Sequence, residues 1–191
     1  RDEECAIGYV GRITPEKGLD TVIEALGILK RKGMLCSLYL LGKALEEYAQ
    51  QLRKLAEEHG VQERVFFLQA RPMEKLVSFY NALDVLVLPS RSTSWWIEQF
   101  GRVIVEAHAC GTPVVGSDSG EIPIVIGDER FVFPEGNAER LAGILERFVK
   151  GEYSKERMSQ PLVEQVKERF SLERVAENKI GIMETVFKEV V

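Results

Sequence analysis

Glu98 and Glu106 bracket the run Gln99-Phe100-Gly101-Arg102-Val103-Ile104-Val105. Helical apolar spacing after Gly101 predicts a helix from Arg102 to Cys110, stopped by Gly111. Glu98 then falls just ahead of its N-terminus. Glu106 lies a turn or more inside at about 1.5 Å per residue, too far from Glu98 for the two to share a proton. Between them lie first-turn amides without intrahelical partners, which with the helix dipole suit a diphosphate. A nucleoside diphosphate sugar has this layout. Its ribose diol would meet Glu106 and its sugar hydroxyls Glu98, while Gly101 admits the ligand close to the backbone.

A second group, Gly11-Arg12 with Lys17-Gly18, follows an apolar run and places two cations where they would face the same diphosphate. The chain has no Asp-x-Asp to carry a divalent metal. No metal or other cofactor is therefore expected, and the cations and helix N-terminus would stabilise a leaving group themselves.

The elements that must hold these groups alternate. Predicted strands at 5–10, 37–41, 65–68, 85–88, 114–116 and 131–133 are separated by amphipathic stretches. One such stretch carries Leu19, Val22, Ile23, Leu26 and Leu29, another Leu45, Tyr48, Leu52 and Leu55, and a short helix is expected from Pro72 to Leu83. From Asn137 onward the pattern is helical, with a further start at Ser171 as N-cap. This predicts an α/β fold, a doubly wound, Rossmann-like parallel sheet over 1–170 with a helical tail at 171–191. Ligands of such sheets sit beyond the carboxyl ends of the strands, so the loops after the first, third and fourth strands matter most. Gly8-Tyr9-Val10-Gly11 does not supply the dinucleotide fingerprint, and a Gly-Lys-Ser/Thr phosphate loop is absent.

Bulk properties narrow the classes. The net charge of −5 gives no global attraction for nucleic acid or an anionic membrane. Apolar runs are too short for a transmembrane span, and no signal peptide is evident. The three cysteines, Cys5, Cys36 and Cys110, sit in apolar stretches without metal or redox spacing, so buried free thiols and a cytoplasmic location are expected. The chain opens at Arg1 without an initiator Met, as a piece of something longer would.

Taken together, Gly8-Tyr9-Val10-Gly11-Arg12, Pro15-Glu16-Lys17-Gly18, Asp84 to Ser90, Glu98 to Val115 and Gly120-Glu121-Ile122-Pro123 resemble the C-terminal domain of family 4 retaining glycosyltransferases with the GT-B fold. The resemblance spans nearly the whole chain. It implies metal-independent transfer of a sugar from a nucleoside diphosphate sugar with retention. It also implies that Arg12 and Lys17 bind the diphosphate, and that Glu98 and the backbone of Phe100 and Gly101 hold the sugar. Val103 and Ile104 would lie along the diphosphate and ribose, Glu106 would take the ribose, and the loop at Ala70-Arg71 would read the base. Glu98 is the residue nearest the chemistry, as a binding and electrostatic group. The family's N-terminal, acceptor-binding half has no counterpart here, and the final helix would pack back toward it; through that half the enzyme could sit at the inner membrane face.

Two rival readings use the same fold: a GT-B nucleotide-sugar epimerase and a non-catalytic nucleotide-binding module. Trp95 and Trp96 fit sugar stacking, contact with another domain or plain packing. Arg71 fits base stacking or simple exposure. His108 reads as structural and His59 as a partner of a helix end.

Overall fold

The structure, a computed structural model, describes residues 5–190, with side chains through 187. Six strands, β1 (Cys5–Val10), β2 (Cys36–Leu41), β3 (Val65–Leu68), β4 (Val85–Leu88), β5 (Val114–Ser117) and β6 (Val132–Phe133), form one parallel sheet in the order β3-β2-β1-β4-β5-β6. Val85, Leu86, Val87 and Leu88 are all buried, as expected for a strand covered on both faces.

The helices are α1 (Leu19–Arg31), α2 (Glu46–Glu58), α3 (Met73–Ala82), α4 (Arg102–Ala109), α5 (Ile122–Ile126), α6 (Ala138–Val149), α7 (Lys155–Phe170) and α8 (Leu172–Val190). Contacts group α1 with α2 and α6, and α4 with α5 and α7. The chain runs outward from β1 to β3 and then crosses back to β4. The strand order therefore reverses between β1 and β4, and the crevice of a doubly wound sheet opens at their carboxyl ends. Arg12 and Lys17 follow β1, and Glu98 follows β4.

The predicted strands recur to within a residue or two, with differences at the edges. Residues 129–131 form a 3-10 turn ahead of β6, begun by Asp128, whose carboxylate accepts from the Arg130 amide. Leu45 is the N-cap of α2 and half exposed rather than part of its buried face. The helical stretch expected from Asn137 is divided into α6 and α7, and the sequence pattern does not mark the start of α7, which carries Pro161 in its interior. Proline there removes the bond that the Arg157 carbonyl would accept, and packing of α7 against α4 offsets that loss. Ser154 caps α7, and Ser171 accepts from the Arg174 amide at 3.2 Å, so the chain breaks and restarts at 171.

Cys5 and Cys36 are buried and in register on β1 and β2, both as free thiols. Burial and a hydrogen bond between the two thiols push the Cys5 pKa up, the bond being the larger cause. Cys110 differs from expectation in being only partly buried. Among the described residues no helix is long and apolar enough to cross a membrane.

His108 is 2% exposed, and burial, with Arg169 adding to it, holds its pKa at about 4 against an ordinary 6.5. The unfolded chain therefore binds a proton that the folded chain rejects between these values, and stability falls as pH drops through this window. At pH 5 the loss is about 2 kcal/mol relative to pH 7. Urea unfolding at the two pH values should show this difference in the native chain and a much smaller one in His108→Gln.

Candidate functional site

Two loops build the crevice, and backbone contacts lock them together. The left-handed Gly18, at φ 63°, lies so close to β4's exit that a Cβ would collide with the Pro89 carbonyl oxygen. The Arg91 amide donates to the Glu16 carbonyl at 2.8 Å, and its guanidinium binds Asp20 at 2.8 Å and the Thr21 hydroxyl at 2.6 Å. Arg91 thus ties the β4 loop to the start of α1. It is a site organiser that the sequence reading overlooked; an arginine directly after the Pro89-Ser90 strand exit was the available signal.

Lys17 and Glu98 meet at the centre. Lys17 Nζ stands 2.8 Å from Glu98 Oε2, with side chains only 13% and 16% exposed. The same ammonium lies 4.1 Å from the centroid of the Trp96 ring, and Ser90 Oγ donates to Glu98 Oε2 at 3.2 Å. Glu98 is also fixed through its backbone, its carbonyl accepting from the Glu121 amide at 3.1 Å. This contact accounts for Gly120-Glu121 as part of the recognised pattern. Trp96 is thereby a packing partner of Lys17, whereas Trp95 is 83% exposed.

The sequence reading set both cations against a diphosphate, yet in this structure Lys17 is already paired with a carboxylate. Arg12 is the freer of the two, with its side chain 66% exposed and a longer 3.6 Å contact to Glu16. Burial would raise the Glu16 pKa, but the Thr14 hydroxyl at 2.7 Å, its own backbone and the neighbouring cations hold it below its usual value. The Arg12 carbonyl accepts from the Tyr9 hydroxyl at 2.6 Å, fixing the backbone after Gly11.

Helix α4 starts beside this pair. Gly101 has φ 72°, and a Cβ there would press on Ile104 Cδ1 at 2.9 Å and Leu88 Cδ2 at 3.1 Å. Glycine is thus required by the backbone turn and by packing on β4, in addition to the ligand approach read from the sequence. The Ile104 amide already donates to the Gly101 carbonyl at 2.8 Å, and its side chain is fully buried. Of the first-turn amides, those of Arg102 and Val103 have no intrahelical acceptor within reach. Phe100 is partly exposed and packs edge-on against Phe170 of α7, centroids 5.6 Å apart.

One turn further into α4, Glu106 Oε2 accepts from the Tyr80 hydroxyl at 2.7 Å. Burial and then that bond push the Tyr80 phenol pKa up, so it stays a donor. Tyr80 of α3 is a second residue that sequence reasoning missed; it orients Glu106 from a different helix. Arg71 is exposed, beyond the end of β3 at the sheet edge, and lies apart from the Lys17–Glu98 cluster. His59 closes α2 and lies against Gly27 of α1. Among the described residues no group of three or more His, Cys, Asp and Glu side chains is arranged to hold a metal ion.

A doubly wound sheet in this strand order, with cations after β1 and a carboxylate-flanked helix start after β4, is the arrangement of the C-terminal domain of a GT-B glycosyltransferase of family 4. The chain belongs to the glycosyl transferases group 1 family, which it matches over residues 1–162. It is 37% identical over 130 residues to a D-inositol 3-phosphate glycosyltransferase of Mycobacteroides abscessus, a match covering 68% of this chain and 28% of that protein. The structure of Anabaena HepE in complex with UDP-glucose superposes with a TM-score of 0.77 at 26% identity, over 95% of this chain and 49% of the other. The C-terminal domain of a group 1 glycosyl transferase from Francisella tularensis superposes with a TM-score of 0.74 at 22% identity, over 88% of this chain and 87% of that one. The chain thus spans less than a third of the length of the curated relative and about half of HepE.

Proposed function

We infer that residues 1–170 are the donor-binding domain of a retaining glycosyltransferase that moves a sugar from a nucleoside diphosphate sugar without a metal. The observation that carries this reading is the convergence of Lys17, Glu98 and the α4 N-terminus at the reversal point of the sheet. The diphosphate lies over the Arg102 and Val103 amides, between Lys17 and Arg12. Glu106, oriented by Tyr80, accepts from the ribose diol, and Glu98 with the backbone of Phe100 and Gly101 holds the sugar. The Ala70-Arg71 loop lies toward the base. HepE, a relative above a quarter identical, was solved with UDP-glucose, and we propose a uridine nucleotide here.

The chemistry follows from charge. As the bond from the anomeric carbon to the phosphate oxygen breaks, negative charge grows on the diphosphate, and fixed donors in a partly dry crevice stabilise it. Glu98 stabilises the developing positive charge on the sugar by position. It forms no covalent bond in this reading.

Calorimetry with UDP in the presence of EDTA tests the proposal. Binding that survives the chelator supports it, and a strict requirement for magnesium or manganese overturns the metal-free mechanism. Glu106→Ala should weaken UDP by about 1 to 3 kcal/mol, the cost of losing hydrogen bonds to a charged acceptor. The loss should nearly vanish with a ligand lacking the ribose hydroxyls. Equal losses for both ligands would remove Glu106 from the diol.

A further inference from the structure

The segment that ends at Glu98 carries an open pocket of about 570 Å³, lined by residues 93–99. Its volume falls in the range of small-molecule sites, roughly 300 to 1,000 Å³. The Trp95 ring stands at its rim, 83% in water. Nothing about this exposure is loose. The Thr93 amide donates to the Trp96 carbonyl at 2.8 Å, and the Trp95 and Trp96 amides donate to Thr93 Oγ1 at 3.4 and 3.0 Å. Ser92, just before, is held by Glu135 through its amide at 2.9 Å and its hydroxyl at 2.7 Å. A hydrogen-bonded turn therefore presents the indole outward while its neighbour Trp96 is pinned over Lys17. An aromatic ring held in water adds no burial to the fold and leaves its face open to a ligand.

The surroundings say which ligand. A pyranose has an apolar face of C–H groups and a rim of hydroxyls. It is matched by a flat ring beside hydroxyl and amide groups, which Thr93, Ser94 and Gln99 supply around Trp95. Glu98 itself turns inward to Lys17 and Ser90, while Trp95, three residues earlier in the lining of the same pocket, faces solvent. The geometry points to Trp95 as a stacking platform for a second sugar ring, that of the acceptor, next to the sugar being transferred. This assignment rests on the donor reading above, and it makes the acceptor a glycan or glycoside.

The chain has two tryptophans, so a 15N-labelled sample gives two indole signals, assigned with Trp95→Phe. With the chain saturated by UDP-glucose, methyl α- and β-pyranosides of glucose, galactose and mannose are titrated in. The expected result is a saturable shift of the Trp95 signal with at least one pyranoside and a smaller response from Trp96. Trp95→Ala should weaken that pyranoside by roughly tenfold or more while leaving the UDP dissociation constant unchanged. Three results overturn the platform: no pyranoside moves Trp95 although UDP-glucose binds; UDP-glucose alone moves Trp95 and abolishes the pyranoside response, which gives the ring to the donor; or Trp95→Ala leaves pyranoside binding intact. If neither UDP nor UDP-glucose binds, the donor reading fails instead. A pyranoside shift that persists in that case still places a sugar on Trp95.

Discussion

Lys17→Ala should lower affinity for UDP by about 2 to 5 kcal/mol, the scale of truncating one partner of a largely buried charge pair. In the free chain the Lys17 ammonium is bound to Glu98 at 2.8 Å and caged by Trp96. A diphosphate offers it more negative charge than a carboxylate does. On the proposed donor reading, Lys17 is expected to change partner, which would free the Glu98 carboxylate for sugar hydroxyls. One ion pair thus couples recognition of the two ends of the donor. Glu98→Gln separates this exchange from ordinary loss of a contact. UDP, which has no sugar, should bind more tightly to Glu98→Gln because Lys17 is no longer held back. UDP-glucose should lose affinity relative to UDP, because a neutral amide is a weaker acceptor than a carboxylate. Calorimetry of both ligands on both variants decides it. If Glu98→Gln weakens UDP and UDP-glucose alike, no exchange takes place.

This pairing also marks where sequence reasoning stops. Strands β1, β3 and β4 were legible to the residue because their apolar runs end abruptly at turn-forming or polar neighbours. Gly101, Glu98 and Glu106 were legible because helix periodicity fixes what stands before and inside α4. The contact between Lys17 and Glu98 spans 81 positions and that between Tyr80 and Glu106 spans 26, and no local period encodes either. Ile104 shows the converse limit. Its position on the first turn of α4 was readable, but the complete burial of its side chain in the core was not. The helical pattern beyond Asn137 was legible, but the separate start of α7 was not, because that helix is largely polar, has no fully buried residue and carries Pro161. Tertiary packing against α4 supplies what the local sequence lacks.

The 191-residue chain on its own should bind UDP yet transfer no measurable sugar to any acceptor. The proposed donor site would supply leaving-group stabilisation through Lys17, Arg12 and the α4 amides, but attack also needs the acceptor hydroxyl held against the anomeric carbon. Orientation of two reactants accounts for roughly 7 to 11 kcal/mol of a barrier, enough to put turnover beyond detection when it is absent. Trp95 offers one face to an acceptor and leaves the rest of it in solvent. The chain spans about half of HepE, and the remaining half of such an enzyme is proposed to supply the opposing wall. Helix α8 would suit such company: Ile180, Ile182, Met183, Val186 and Phe187 are each more than half exposed, an apolar face left uncovered among the described residues. Without that cover α8 should exchange its amide hydrogens far faster than β1 and β4, whose residues are buried. Hydrogen exchange and a radiolabelled UDP-glucose transfer assay, run with and without an acceptor-binding domain supplied in cis or in trans, test both expectations. Turnover that appears only with the added domain, together with slower exchange in α8, is the expected result; robust transfer by the 191 residues alone would sink the half-site reading.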